Sequence, residues 1–232
     1  MNKSINALHG LILLGLLLMA GISSAFGQII TQPAGLTPGE QYQLVFVTNG
    51  TTNAESTDIG YYNTFVTNEA DTAPALVALN TTWTAIASTS SVSAIANTGT
   101  TPGTGVPIYN LNGSLVAATY TELWSGSTQN DIYTTETGTT PTNTDVWTGT
   151  SYSGTAVPGS SLGNPEATWG VSYYYDFYPL PAAWIAENND PNSVTLPLYA
   201  MSGVLTAAPE PGSAALLALG AGALLGLRRR RM

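Results

Sequence analysis

The chain contains no cysteine and very few basic residues. Its 232 residues include five lysines and arginines and one histidine. All six lie near the two ends, at Lys3, His9, Arg228, Arg229, Arg230 and Arg231. The region 28–208 therefore has no Lys, Arg, His or Cys, although it holds 13 of the 14 acidic residues. Its net charge at neutral pH is about −13.

These absences exclude several kinds of chemistry from the region 28–208. Without histidine or cysteine it has no Ser-His triad, no thiol nucleophile and no imidazole or thiolate ligand for zinc. Without lysine it cannot form a Schiff base. We expect no nucleic-acid partner, because an acidic domain without cations repels phosphates. Since no disulfide can form, packing must hold the fold together.

The N-terminal residues 1–27 have the features of a secretory signal peptide. Lys3 precedes an apolar stretch over residues 11–22, and the small residues Ala25 and Gly27 follow it. This order predicts cleavage after Gly27 or after Ala25. The exported chain would then begin near Gln28.

The C-terminal residues 209–232 combine a short motif, an apolar run and a basic end. Pro209, Glu210 and Pro211 precede the uncharged run 213–227, which is followed by Arg228, Arg229, Arg230 and Arg231. The run would be helical in lipid, but it spans only about 22 Å of a hydrocarbon core ~30 Å thick. The arginines would stay in the cytoplasm and would stop further translocation of the chain across the membrane. We therefore expect a short transmembrane helix with the rest of the chain outside.

This tail resembles the PEP-CTERM sorting signal of bacterial envelope and exopolysaccharide-associated proteins, with the motif intact at Pro209, Glu210 and Pro211. The resemblance implies that an exosortase, a membrane cysteine protease, recognises the motif and processes the tail. It implies passage through the secretion machinery and the inner membrane to the cell surface or matrix of a Gram-negative-type bacterium. It covers only the last tenth of the chain. A plain membrane anchor is the alternative.

Between these two segments, residues 28–208 are numerous enough for one domain. Short apolar runs separated by Gly, Pro, Asn, Ser and Thr predict many short strands with long loops. We expect helical segments at 57–69, 91–96 and 121–124. We expect strands at 41–48, 83–87, 146–148, 184–186 and 196–205, and a two-residue type I′ hairpin turn at Asn112-Gly113.

Three segments of this domain resemble the endostatin domains of certain collagens. They are 106–113 (Val-Pro-Ile-Tyr-Asn-Leu-Asn-Gly), 122–127 (Glu-Leu-Trp-Ser-Gly-Ser) and 146–150 (Val-Trp-Thr-Gly-Thr). The resemblance implies an α+β, C-type-lectin-like fold in which the strands at 41–48 and 196–205 lie side by side. Endostatin's cysteines, zinc-binding histidines and heparin-binding arginines have no counterparts here, so no site is carried over. A β-sandwich is the alternative fold.

Two segments of the domain are candidate binding sites. The aromatic segment 169–178, which includes Trp169, Tyr173, Tyr174 and Tyr175, could stack on sugar rings in an exposed loop or pack over the core. The segment 187–192 offers oxygen ligands for calcium at Glu187, Asn188, Asn189 and Asp190, or is an ordinary turn. The other four tryptophans lie in strand-like or helical runs, which predicts that they belong to the core.

We expect a non-catalytic cell-surface or exopolysaccharide-matrix protein with a structural or adhesive role and no resident cofactor. Its partners beyond the export apparatus would be polysaccharides or other matrix proteins. A calcium-dependent carbohydrate-binding module is the second hypothesis. A glycoside hydrolase is the third, but it needs two carboxylates ~5 to 9.5 Å apart, and the sequence identifies no such pair.

Overall fold

The computed structural model describes residues 28–103, 105–173 and 182–209. The helices in these residues are α1 Ile59–Asp71, α2 Pro74–Val77, α3 Ala94–Thr98 and α4 Tyr120–Leu123. The strands are β1 Gln41–Val47, β2 Trp83–Ala85, β3 Ile108–Asn110, β4 Leu115–Ala117, β5 Asp145–Trp147, β6 Glu166–Val171, β7 Asn188–Pro191, β8 Tyr199–Ser202 and β9 Leu205–Thr206. This mixture of two sheets with few helices agrees with the expected α+β class.

The two terminal segments expected to meet a membrane, the leader 1–27 and the apolar run 213–227, lie outside the described residues. Among the residues that are described, no helix is long and apolar enough to cross a membrane.

The larger sheet is built around β1. Its strand order is β2-β8-β1-β3-β4, and β9 pairs with the beginning of β1. The β1–β3 pair is parallel and the other pairs are antiparallel. Val45 of β1 lies opposite Met201 of β8. The expected pairing of the strands at 41–48 and 196–205 is therefore confirmed, with Gly203 separating β8 from β9.

Both faces of β1 are buried, so its alternating side chains contribute to two core clusters. Tyr42, Leu44 and Phe46 belong to the first cluster, together with residues of α1. Val45 and Val47 point to the opposite face and belong to the second cluster. A strand that is covered on both sides becomes an almost continuous apolar run, which explains the sequence Tyr-Gln-Leu-Val-Phe-Val.

The helix α1 forms where its cap and its apolar spacing predict. The Asp58 carboxylate accepts a hydrogen bond of 2.8 Å from the Gly60 N–H, which satisfies one of the free donors at the helix start. Tyr62, Val66 and Ala70 form a buried stripe at four-residue spacing. The predicted helix at 57–69 is thus confirmed within two residues at each end.

The hairpin between β3 and β4 is confirmed, but its predicted turn type is wrong. The Gly113 N–H donates to the Asn110 carbonyl at 2.8 Å, and the Asn110 N–H donates to the Ser114 carbonyl at 2.9 Å. Gly113 has a φ of 85°, whereas Asn112 lacks the positive φ that a type I′ turn needs at both central positions. The loop therefore has three residues, 111–113, and ends in a glycine with a left-handed backbone conformation. This loop type also matches the twist of the two strands.

The smaller sheet has the order β5-β6-β7 and is joined to the larger one through Trp147. The Trp147 backbone N–H donates to the Pro197 carbonyl at 3.0 Å, and its indole N–H donates to the Val194 carbonyl at 3.2 Å. Both bonds reach the segment that leads into β8. The predicted strand at 184–186 is wrong, because Ile185 and Ala186 donate to the Ala182 carbonyl in a tight turn.

Buried hydroxyl groups also connect β5 with the segment after β2. We call Ser88, Thr148 and Thr150, all fully buried, the hydroxyl junction. The Thr148 hydroxyl donates to the Ile185 carbonyl at 2.6 Å, and the Thr150 hydroxyl donates to the Ser88 hydroxyl at 2.9 Å. Because buried polar groups are costly when unpaired, these bonds fix the position of each segment.

Gly149 lies in the middle of this junction, where a side chain has no room. Its φ is 59°, and a Cβ atom there would lie 2.5 Å from the Ser88 carbonyl oxygen and 2.5 Å from the Leu162 nitrogen. Gly159 also has a positive φ, of 76°, but a Cβ atom there would meet nothing within 4 Å. The two glycines share a left-handed backbone conformation, which would strain any other residue, and they differ in the space available for a side chain.

We predict that Gly149→Ala lowers the free energy of unfolding by at least ~2 kcal/mol more than Gly159→Ala. The control variant carries only the left-handed strain of about 1 to 2 kcal/mol, whereas the first must also displace backbone atoms. Urea unfolding followed by tryptophan fluorescence measures both values. Equal losses would show that the junction is not closely packed.

Candidate functional site

The structure divides the aromatic segment 169–178. Trp169 lies in β6 and is partly buried against the first core cluster. Tyr173 follows β6 and is 41% exposed. Tyr174 and Tyr175 lie outside the described residues. Of the two described candidates, Tyr173 is therefore the one with a large surface for a ligand.

Tyr173 meets a second aromatic residue, Tyr133, which the sequence analysis did not select. Their ring centroids are 5.7 Å apart and the ring planes make an angle of 67°. Tyr133 is flanked by the buried residues Ile132 and Thr134, and the Thr134 carbonyl accepts a hydrogen bond from the Val47 N–H at 3.2 Å. The Asn112 side-chain amide lies 3.2 Å from the Tyr133 hydroxyl and donates to it. Tyr133 is thus held by β1 and by the β3–β4 hairpin.

These two rings form part of a cleft of about 420 Å³. We call it the tyrosine cleft, and its described lining consists of Tyr133, Thr140, Pro141, Thr144 and Tyr173. Its volume falls in the range of ~300 to 1,000 Å³ that is usual for small-molecule sites. The cleft therefore brings together a candidate from the sequence and four residues that were not candidates.

The smaller sheet positions one wall of the tyrosine cleft. Asp145 of β5 pairs with Val171 of β6, so the residues next to them, Thr144 and Ser172, are also neighbours. The Ser172 N–H donates to the Thr144 carbonyl at 2.7 Å. Thr144 and Tyr173 are thus fixed relative to each other by backbone hydrogen bonds rather than by side-chain contacts.

The described lining of the cleft offers aromatic rings and hydroxyl groups and carries no charge. Two described acidic residues lie close by in the chain, Asp131 before Tyr133 and Asp145 after Thr144. Partial burial, with a further contribution from the Asp190 carboxylate, raises the pKa of Asp145. Since the described residues contain no Lys, Arg or His, an anionic ligand would be repelled. This chemistry suits a neutral, polyhydroxylated ligand.

The calcium candidates at 187–192 do not form the expected loop. Asn188, Asn189 and Asp190 belong to β7, where they pair with Trp169, Thr168 and Ala167 of β6. Successive side chains of a strand point to opposite faces, so Asn189 points away from Asn188 and Asp190. The Asn189 side-chain oxygen accepts a hydrogen bond of 2.8 Å from the Thr168 hydroxyl. The strand therefore places the Asn189 oxygen on the opposite face from the oxygens of Asn188 and Asp190.

Clustered acidic metal ligands are also absent from the described part of the chain. No group of three or more His, Cys, Asp or Glu residues there is arranged to hold a metal ion. Glu187 is exposed just before β7.

The predicted sorting motif begins directly after the last described hydrogen bonds of the chain. The Ala207 N–H donates to the Glu40 carbonyl at 2.8 Å, and the Ala208 N–H donates to the Gln32 side-chain oxygen at 2.9 Å. Pro209 is exposed directly after these bonds. Glu210, Pro211 and the four residues Arg228, Arg229, Arg230 and Arg231 lie outside the described residues.

A repeated loop is a feature that the sequence analysis missed. The segments 110–114, 135–139 and 151–155 each close a three-residue loop through the same two backbone hydrogen bonds. In each loop the fourth residue is a left-handed glycine and the fifth is Ser or Thr. The loops share a five-residue sequence pattern that could have revealed them. Its first and third residues are Ser, Thr or Asn, its second residue varies, its fourth is Gly and its fifth is Ser or Thr. The second loop leads directly into Thr140 of the tyrosine cleft.

No model of a known protein family matches this sequence, and no curated protein matches it either. We therefore infer function from the geometry of the site.

The two described aromatic candidates should respond differently to truncation. We predict that Trp169→Ala lowers the free energy of unfolding by about 2 to 4 kcal/mol, because its ring packs against the core. Tyr173→Ala should lower it by less than about 1 kcal/mol, because that side chain is 41% exposed and is not part of either core cluster. Thermal and urea unfolding measure both. A large loss for Tyr173→Ala would mean that this residue is structural.

Proposed function

We propose that this chain is a secreted, non-catalytic surface or matrix protein that adheres to neutral polysaccharide through the tyrosine cleft. The observation that carries the proposal is the convergence of Tyr133 and Tyr173 with Thr140 and Thr144 in a cleft whose described lining is uncharged. Aromatic rings can pack against the apolar faces of sugar rings, while threonine hydroxyls bond to sugar hydroxyls. The surrounding negative charge disfavours acidic polysaccharides.

The proposed fold is C-type-lectin-like, as in endostatin domains. Two observations support it. β1 pairs with β8 near the two ends of the domain, and the smaller sheet is formed by the chain between β4 and β8 of the larger sheet. In such a fold the loops carry binding functions on a rigid base. The tyrosine cleft lies among these connections rather than on the main sheet.

We propose that export and sorting follow from the two terminal segments. Residues 1–27 would act as the leader, and an exosortase would recognise Pro209, Glu210 and Pro211 and process the tail. The last hydrogen bonds among the described residues involve Ala208, so the motif would follow the described domain without a long linker. Such a position would leave the motif accessible while the run 213–227 is held in the membrane.

Binding without calcium is the form of this proposal that the geometry favours. The ligand candidates at Glu187, Asn188, Asn189 and Asp190 lie in or beside an edge strand and do not converge. The threonine hydroxyls and tyrosine rings of the cleft can contact a sugar directly. A chelator should therefore leave binding unchanged, whereas the calcium-dependent hypothesis predicts its loss.

We predict that Tyr133→Ala and Tyr173→Ala each weaken retention on the producing bacterium's own exopolysaccharide by about tenfold. Loss of one aromatic contact is worth roughly 0.5 to 1.5 kcal/mol beyond the buried area, and 1.4 kcal/mol corresponds to tenfold. Affinity electrophoresis in gels that contain the polysaccharide measures retention, with calcium and with a chelator.

The matched control for this experiment is Tyr152→Ala. Tyr152 is 58% exposed and does not line the cleft, so its loss should leave retention unchanged. An equal effect of all three variants, or no retention of the unmodified protein, would contradict the proposal. Retention that disappears only with chelator would support the calcium-dependent hypothesis instead.

The sorting proposal predicts the C-terminal end of the mature protein. Mass spectrometry of surface protein from the native bacterium should find no peptide that extends beyond about Pro211, because processing removes the run 213–227 and the arginines. Replacing Glu210 with Gln should reduce this processing. Recovery of intact tails from surface material would show that the segment is a permanent anchor.

A further inference from the structure

A second pocket lies on another part of the domain, beside α2. Its volume is about 430 Å³, and its lining is mostly apolar, with Ile29, Ala73, Pro74 and Ala75 among the contributing residues. Glu136 is the one ionisable side chain of its described lining. We call this cavity the N-terminal pocket, because Ile29 near the predicted start of the exported chain forms part of its wall.

Glu136 is a buried carboxylate without a cationic partner among the described residues. Its side chain is only 2% exposed, and one of its oxygens accepts a hydrogen bond of 3.0 Å from the Asn49 N–H. The next N–H, of Gly50, donates to Glu69 at 2.9 Å, so a second carboxylate lies nearby. Burial raises the pKa of Glu136, and repulsion from Glu69 adds to the increase. A cation in the pocket would favour the charged form of Glu136 and so offset both its burial and its repulsion from Glu69.

The predicted start of the exported chain and this carboxylate belong to the wall of the same pocket. The Ile30 N–H donates to the Leu111 carbonyl at 2.7 Å, which fixes the backbone one residue after Ile29. Residue Gln28 therefore begins one residue from the pocket wall, and a residue reaches at most ~3.6 Å. Cleavage after Gly27 would place a new α-ammonium group on Gln28. No Lys, Arg or His occurs between residues 28 and 209 to compete with it.

We propose that removal of the leader creates an ion pair between the α-ammonium group of Gln28 and the Glu136 carboxylate in the N-terminal pocket. The pair would exist only in the processed protein, so the mature form would differ from its precursor in the structure of this pocket. The inference rests on the proposed export with cleavage after Gly27. The mostly apolar wall lowers the local dielectric constant, which strengthens the attraction between the two charges.

The absence of lysine gives this proposal a selective test. Lys3 would leave with the leader, so the mature chain would contain a single amine, its own α-amino group. The protein is produced in its native bacterium with Gln28→Ala, which prevents cyclisation of an N-terminal glutamine. Its intact mass identifies the first residue, and its rate of acetylation by acetyl-N-hydroxysuccinimide is measured from pH 6 to 9.

We expect the α-amino group to titrate at least one pH unit above its usual pKa of ~7.7 to 8.0, because pairing stabilises the charged form. At pH 7 this amino group should be acetylated at least tenfold more slowly than in a second protein that carries Glu136→Gln in addition to Gln28→Ala. The control Glu166→Gln removes an exposed acid outside the pocket and should leave the rate unchanged. Acetylation should also lower the melting midpoint by a few degrees, a readout that needs no Glu136 variant.

Equal acetylation rates in the Glu136→Gln and Glu166→Gln variants, with no change in the melting midpoint on acetylation, would overturn the ion pair. A mature chain that begins at Phe26 would overturn it too, while leaving the export proposal intact. A chain that keeps residues 1–27 would overturn both. Because the first residue is measured independently of the acetylation rate, these failures can be told apart.

Discussion

The described domain must accommodate its carboxylates without any lysine, arginine or histidine, and it does so with backbone N–H groups. The shared arrangement is one carboxylate oxygen that accepts a hydrogen bond from a backbone N–H in a turn or at a helix start. The donor–acceptor pairs are Thr37–Glu40, Asn49–Glu136, Gly50–Glu69, Gly60–Asp58 and Ala118–Glu122. Such bonds to a charged acceptor are stronger than neutral ones, so each acid fixes a turn or a helix end. Among the described residues, no salt bridge or disulfide takes part in this.

The same constraint shapes both candidate sites. The tyrosine cleft contains rings and hydroxyls because the domain has no cation with which to attract an acidic ligand, and its neighbouring carboxylates discourage one. The N-terminal pocket contains a carboxylate that is buried without an opposite charge, which is rare because the cost of desolvation is then uncompensated. One site is therefore suited to a neutral ligand and the other to a cation. The only cation that processing would supply to the domain is its own new N-terminus.

The sequence was sufficient for elements whose apolar pattern is set by the core. The alternation in β1, the Asp58 cap with the stripe of α1, and the burial of Trp83, Trp124, Trp147 and Trp184 were all predicted and are confirmed. Elements at the edge of the smaller sheet were not predicted. β7 consists of Asn, Asp and Pro because an exposed edge strand needs no apolar residues, and this composition is typical of loops. Trp184 is buried from a tight turn, so an apolar run there did not imply a strand.

The tyrosine cleft could be predicted only in part, because Tyr133 and Tyr173 are 40 positions apart and meet through tertiary structure. The most direct test of the account is an NMR titration of the tyrosine ring protons with oligosaccharides released from the native exopolysaccharide. If neutral polysaccharide binds in the tyrosine cleft, we expect the resonances of Tyr133 and Tyr173 to shift together with a single dissociation constant, while those of Tyr152 do not move. Shifts confined to other residues, or no shifts at saturating oligosaccharide, would contradict it.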